Sequence, residues 1–345
     1  MNAATETLNP AVEIVGVQPW LPRVLSRWSW WTRSVPAEIY ATLRIGVASV
    51  LLLDQAMTML PNLRAIYGAG STGAPQLYTW MFEHPQWHWS LLQGISDPQA
   101  IQLMLFVWMA ATIGLLIGWN TRLCAIVVWL LAVSFTNLNV YAINAGDHIR
   151  GMLLLYLAML PCGAAWSIDA WLQSRQRDGV ARSARVHVHP WALRLLLIQL
   201  AWMYGASGLC KLSGHNWVSG SSLYYVMHDL SLTRFSAEMA QVPYWAMQVA
   251  TWSVLAWEVL FPLLVVFRRT RVWALLAGVA MHFGIFVTME LGCFPLYLLA
   301  VYAALLLEVW WLRSERKAAT APAADNATNR SSKKRDAVSY QPQFA

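Results

Sequence analysis

Apolar stretches about twenty residues long recur along this chain, and that recurrence limits its fold more than any other feature. They fall near 37–60, 100–119, 123–141, 152–171, 191–210, 244–267, 272–291 and 293–311. Twenty residues of α-helix reach about 30 Å, the thickness of bilayer hydrocarbon, and a soluble core has no use for so many of them. Charged residues make up only 12% of the chain against 58% hydrophobic, too few to cover a water-facing surface. The expected fold is an all-α polytopic transmembrane bundle of about eight helices.

The net charge of +7 would suit nucleic acid if the basic residues were mixed along the chain, but they are sorted. Arg23, Arg27, Arg33, Arg122, Arg175, Arg177, Arg182, Arg185, Arg268, Arg269, Arg271 and the cluster from Arg313 to Arg335 share one face of an eight-span bundle. The other face holds only Arg64, Arg150, Lys211 and Arg234. The positive-inside rule then places both termini in the cytoplasm and turns 61–99, 142–151 and 211–243 outward. Membrane lipids are the expected surroundings, and no nucleic acid partner is expected.

Three regions follow. Residues 1–36 carry prolines, arginines and "WSWW" without a signal-peptide core, which fits an interfacial or cytoplasmic segment. Residues 37–312 form the bundle. Residues 313–345 are polar and basic, as expected of a disordered cytoplasmic tail. Cys210 and Cys293 fall near the outer face and could pair in an oxidising compartment, but unpaired membrane cysteines are the favoured reading. His84 and His88 have helical metal-pair spacing, yet nothing nearby completes a set, so no metal is expected.

Ionisable side chains inside spans are costly and mark cavities or pathways. Here they gather in the outer half: Asp54, Lys211, Glu258, His282, Glu290 and the turn "NAGDHIRG" with Asn144, Asp147, His148 and Arg150. Each has a plainer explanation. Lys211 can snorkel from a helix end, as can Arg44 and Arg194. His282 can be a core histidine, and Asp147 and Arg150 can cap and pair at a helix start. Glu258 is harder to dismiss, because a carboxylate at mid-depth must find a partner or a proton.

"GLCKLSGHNWVSG" resembles the lysine segment of the vitamin K-dependent gamma-carboxylase and its bacterial relatives, the horizontally transferred transmembrane (HTTM) family. "NAGDHIRGMLLLYLAMLPCGAAWSID" resembles that family's polar turn, helix and W-S-[VIL]-D exit, and "HFGIFVTMELGCF" its later histidine followed by Gly-x-Phe. The resemblance covers residues 37 to 311. It implies that Lys211 matches the carboxylase's base, that His282 matches the later histidine, and that His148 is the best match in the polar turn. It also implies a reduced quinone of the vitamin K or menaquinol type, with O2 and CO2, and a multi-pass location in a bacterial inner membrane.

An amine takes a proton only when it is neutral. Burial among Trp202, Tyr204 and Leu209 is the expected means of achieving this, with Trp202, Tyr204, Trp217 and Glu258 lining a quinone site that opens toward lipid. The carboxylase's large lumenal portion has no counterpart here, so propeptide-directed carboxylation is not expected. Whether the protein is an enzyme stays open. Small members of the family resemble the sporulation-delaying accessory protein, so the alternative is a non-catalytic partner in maturation of, or immunity to, an exported peptide. Residues 61–99, with Trp80, Trp87 and Trp89, would then be the docking surface. A transporter is less favoured, since no repeat symmetry is visible.

Overall fold

A computed structural model describes residues 31–67, 71, 89–139, 142–176, 186–235, 238 and 241–320. The expected interfacial segment 1–36 lies mostly outside the described residues. So do His84, His88, Trp80 and Trp87, and the tail beyond residue 320.

Among the described residues the regular structure is helical, apart from two residues each in β1 (Val35–Pro36) and β2 (His187–Val188). Among the described residues, seven helices are long and apolar enough to cross a membrane: α1 (Glu38–Asp54, prolonged by a π-helical turn over Gln55–Met59), α3 (Pro98–Ile117), α4 (Thr121–Leu138), α7 (Trp191–Leu212), α10 (Tyr244–Val266), α11 (Arg268–Thr288) and α12 (Phe294–Thr320). Between α1 and α3 lies the short α2 (Leu63–Ile66). α12 runs on to Thr320, so the expected tail begins as helix.

The stretch expected to span over 152–171 is organised differently. α5 covers Ala145–Met159, starting seven residues early. Asn144 and Asp147 form a reciprocal capping box there, satisfying backbone N–H groups that a helix start leaves orphaned. Pro161 then ends the helix, because proline disfavours helical backbone in the residue before it and cannot donate to the turn behind it. A turn follows over residues 160–167, and then α6 (Ile168–Gln176).

Contacts sort the chain into two ends. At the near end β1 pairs antiparallel with β2, Val35 opposite Val188. The Tyr40 hydroxyl donates to the His189 carbonyl at 2.7 Å, and Arg33 pairs with Glu315. Arg122, Arg268, Arg269, Arg271 and Arg313 belong to helix ends on this side. At the far end Arg150 reaches Asp54, and the strap around residues 229–235 hydrogen-bonds to residues 288–290. α5 connects the two: Arg150 in its first half lies level with Asp54, and the turn after it lies level with Arg44. With α5 included, the described helices pass eight times between the two ends, and α12 finishes at the end where α1 starts.

Arg44 and Arg194 do not snorkel. Arg44 is fully buried, donating to the carbonyls of Cys162, Ala165 and Trp166 and so tying down the turn after α5. Arg194 is 1% exposed and paired with Glu308, itself 2% exposed. A charge removed from water needs compensating partners, and here carbonyl oxygens and a carboxylate provide them in place of lipid headgroups.

Candidate functional site

α7 presents Tyr204, Ser207, Gly208 and Lys211 at helical spacings of three and four, which puts them on one face. That face packs on α10. A Cβ built on Gly208 would lie 2.9 Å from the Val259 backbone nitrogen, so only glycine permits the helices to approach this closely. The approach brings Lys211 Nζ to 2.5 Å from Glu258 Oε1, while the Ser207 hydroxyl donates to Glu258 Oε2 at 3.0 Å. The Lys211 side chain is 23% exposed and that of Glu258 8%.

The chain beyond Lys211 does not run straight into solvent. α8 (His215–Val218) and α9 (Ser222–His228) fold back on the first half of α10: Gln248 donates to the Ser219 carbonyl, Trp252 to that of Val218, and the Leu223 N–H to the Thr251 hydroxyl. This roof sets the ring of Trp217 over the lysine, with Nζ 4.5 Å from its centroid. The indole face and the carboxylate thus position the Lys211 amine from two sides.

Two turns toward the near end, Tyr204 is 4% exposed and packs edge-on against Trp257 and Phe261. Its hydroxyl lies 2.7 Å from His282 Nε2 on α11 and accepts a hydrogen bond from Tyr302 of α12 at 2.9 Å. A polar string thus runs inward through a four-helix junction, from Trp217 and Lys211 past Glu258 and Ser207 to Tyr204, His282 and Tyr302.

Of the residues expected at the site, the structure brings Lys211, Glu258 and Trp217 into one contact group, with Tyr204 and His282 next along the string. Trp202 and His148 do not join them. Trp202 is 78% exposed on the opposite side of α7, since two residues from Tyr204 is about 200° around the helix. His148 is exposed on α5, whose first turn belongs to a second cluster. Leu209 is 64% exposed as well, so the expected burial of the lysine among Trp202, Tyr204 and Leu209 does not occur. Ser207 and Tyr302 were not foreseen. Ser207 carried a signal, being the polar residue one turn before Lys211, whereas Tyr302 had none beyond being a tyrosine in an apolar run.

The second cluster centres on Arg150, which is 3% exposed. It donates to Asp54 at 3.0 Å and to the Thr136 hydroxyl at 2.9 Å, and pairs with Asp147 at 2.7 Å. These groups line a cavity of about 70 Å³ with Thr58, Tyr67, Asn139 and Asn144. Asp147 therefore caps and pairs as expected, and Arg150 additionally gathers a carboxylate from α1. All four cysteines are free, Cys210 and Cys293 included.

Long apolar helices with charges paired inside the bundle define a multi-pass membrane protein. The family model for the HTTM domain matches residues 58–311, and the chain belongs to the HTTM family, membrane proteins related to the membrane part of the gamma-carboxylase. The match begins after α1, so Arg44 and Asp54 fall outside it. No curated protein and no solved structure matches the chain.

Proposed function

We propose that the protein carries out quinol-dependent chemistry of the carboxylase type in a bacterial inner membrane, with both termini cytoplasmic, and that the Lys211–Glu258 pair is its proton acceptor. The observation that carries this reading is the short contact between an accessible amine and a buried carboxylate. The pair is electrically neutral whether its shared proton sits on nitrogen or oxygen, so moving that proton to Glu258 frees the amine without creating net charge in a poorly solvated place. Glu258 thus does what hydrocarbon burial was expected to do. Ser207 steadies the carboxylate from its other oxygen, and Trp217 covers the pair from the far-end side.

The donor set fits a reduced quinone. The amine–carboxylate pair can accept a hydroxyl proton, Trp217, Trp252 and Trp257 offer flat apolar surfaces nearby, and His282 Nδ1 is a buried polar atom without a partner among the described residues. When bound, such a quinone would supply the electrons that reduce O2 and the basicity that removes a carbon-bound proton before CO2 adds. The test follows quinol consumption in membranes. Lys211→Ala and Glu258→Gln should each lower turnover on the order of 100-fold, and Lys211→Arg should not restore it; undiminished turnover in all three ends the proposal.

A non-catalytic role with an exported peptide draws support from the far-end rim, where Tyr225, Leu230 and Trp245 are exposed at 59%, 82% and 67%. On that reading the biological activity survives Lys211→Ala and is lost with Trp89→Ala or Trp245→Ala.

A further inference from the structure

Three residues on three helices form a hydrogen-bond chain. Tyr302 of α12 donates to Tyr204 of α7, so the Tyr204 oxygen is already an acceptor. Its own single proton then has His282 Nε2 at 2.7 Å. A neutral imidazole that accepts at Nε2 carries its hydrogen on Nδ1. His282 is 2% exposed, and Nδ1 has no hydrogen-bond partner among the described residues. The opposite tautomer would be worse, stranding both the Tyr204 proton and the Nδ1 lone pair where this one strands a single donor.

We infer that Tyr302, acting through Tyr204, holds His282 in the tautomer protonated on Nδ1, keeping that N–H as a buried donor for the acceptor oxygen of a ligand. The arrangement is built into the backbone. A Cβ on Gly278, one turn before His282, would lie 2.5 Å from the Tyr302 Cζ and hydroxyl oxygen, so α11 is bare where the phenol crosses it. The surroundings are apolar: Phe294 meets the imidazole edge-on at 5.7 Å, and Trp257 and Phe261 pack against Tyr204. A donor in such a place favours a carbonyl or phenolate-type oxygen on a flat apolar molecule, and bulk water competes little for it. The identity of the ligand rests on the quinol reading above, but the tautomer does not. Tyr302 is a positioning residue in this account, since it acts through Tyr204.

The tautomer can be read directly by nitrogen NMR of the full chain labelled at its eight histidines, with His282→Asn identifying the resonances that disappear. Nε2 couples to both ring C–H protons and Nδ1 to one, so the nitrogen bearing hydrogen is identified without reference to activity. The expected spectrum has hydrogen on Nδ1. Tyr302→Phe removes one oxygen, leaves the ring against Gly278, and should shift His282 toward hydrogen on Nε2. Hydrogen on Nε2 in the unaltered protein, or no change in Tyr302→Phe, overturns the inference. Added 2-methyl-1,4-naphthoquinone should move the Nδ1–H resonance, and a resonance that stays put refutes the reserved donor while leaving the Lys211 proposal to be judged by turnover.

Discussion

Removing one member of the Lys211–Glu258 pair should hurt more from one side than from the other. Lys211→Met leaves the Glu258 carboxylate with an 8% exposed side chain and only the Ser207 hydroxyl for company. Breaking a buried pair costs about 3–5 kcal/mol, chiefly through the charge left behind, and the partial exposure of Lys211 places this one near 3 kcal/mol. Glu258→Gln keeps an acceptor for Ser207 and leaves an ammonium that can stay over Trp217 or reach outward, for a loss of about 1 kcal/mol. The combined variant strands no charge and should also lose about 1 kcal/mol, so the cycle reports a coupling of about 3 kcal/mol. Thermal unfolding in detergent, followed by tryptophan fluorescence, measures this. At about 2 °C per kcal/mol for a chain of this size, Lys211→Met should fall by about 6 °C, and adding Glu258→Gln should recover about 4 °C. If the double variant is instead less stable than Lys211→Met, the two side chains do not meet and the neutral-pair argument fails with them.

Gly208→Ala should force α7 and α10 apart and cost about 1–3 kcal/mol, because the added carbon meets the Val259 backbone; Gly151→Ala on α5, which meets nothing within 4 Å, should be neutral or mildly stabilising in the same thermal assay. At the near end, desolvation pushes the Asp169 carboxyl up, but hydrogen bonds from the Thr121 hydroxyl and N–H and from the Asn120 N–H outweigh it and hold the carboxyl below its ordinary value. A carboxylate lowered on folding stabilises fully above its unfolded pKa and loses that contribution as pH falls through the lower folded value, so Asp169→Asn should lower the melting temperature at pH 7, with the gap to the parent starting to narrow only below about 4 and closing at still lower pH.

Much of this architecture could be read in the residues. The seven long spans and the sorting of arginines to one end follow from hydrocarbon thickness and charge placement, and both return in the structure. The fourth crossing misled because apolar content alone cannot see Pro161, or a capping box that starts the helix seven residues early. Helix phase was available and would have set Trp202 opposite Tyr204. Glu308 was also visible, as an acid inside the last span, and its presence implied a buried partner for Arg194. Pairing was what one sequence could not show. Lys211 and Glu258 are 47 residues apart, and their levels agree only because α8 and α9 roof the outer half of α10, so counting from helix ends misjudges the depth of both. The chain from Tyr302 to His282 requires three helices in register, and no local pattern encodes that.

α5 has one more consequence, for the lipid around it. Its fifteen residues rise about 22 Å, while hydrocarbon is about 30 Å thick, and Leu155 and Met159 remain on its exposed side. Acyl chains along that flank must compress or splay to meet the short helix, at a fraction of a kcal/mol for each ångström of mismatch. Arg44 ties down the turn that ends α5, so the helix does not lengthen to close the gap. The protein should therefore dimple the leaflet on one side only and prefer thin membranes to thick ones.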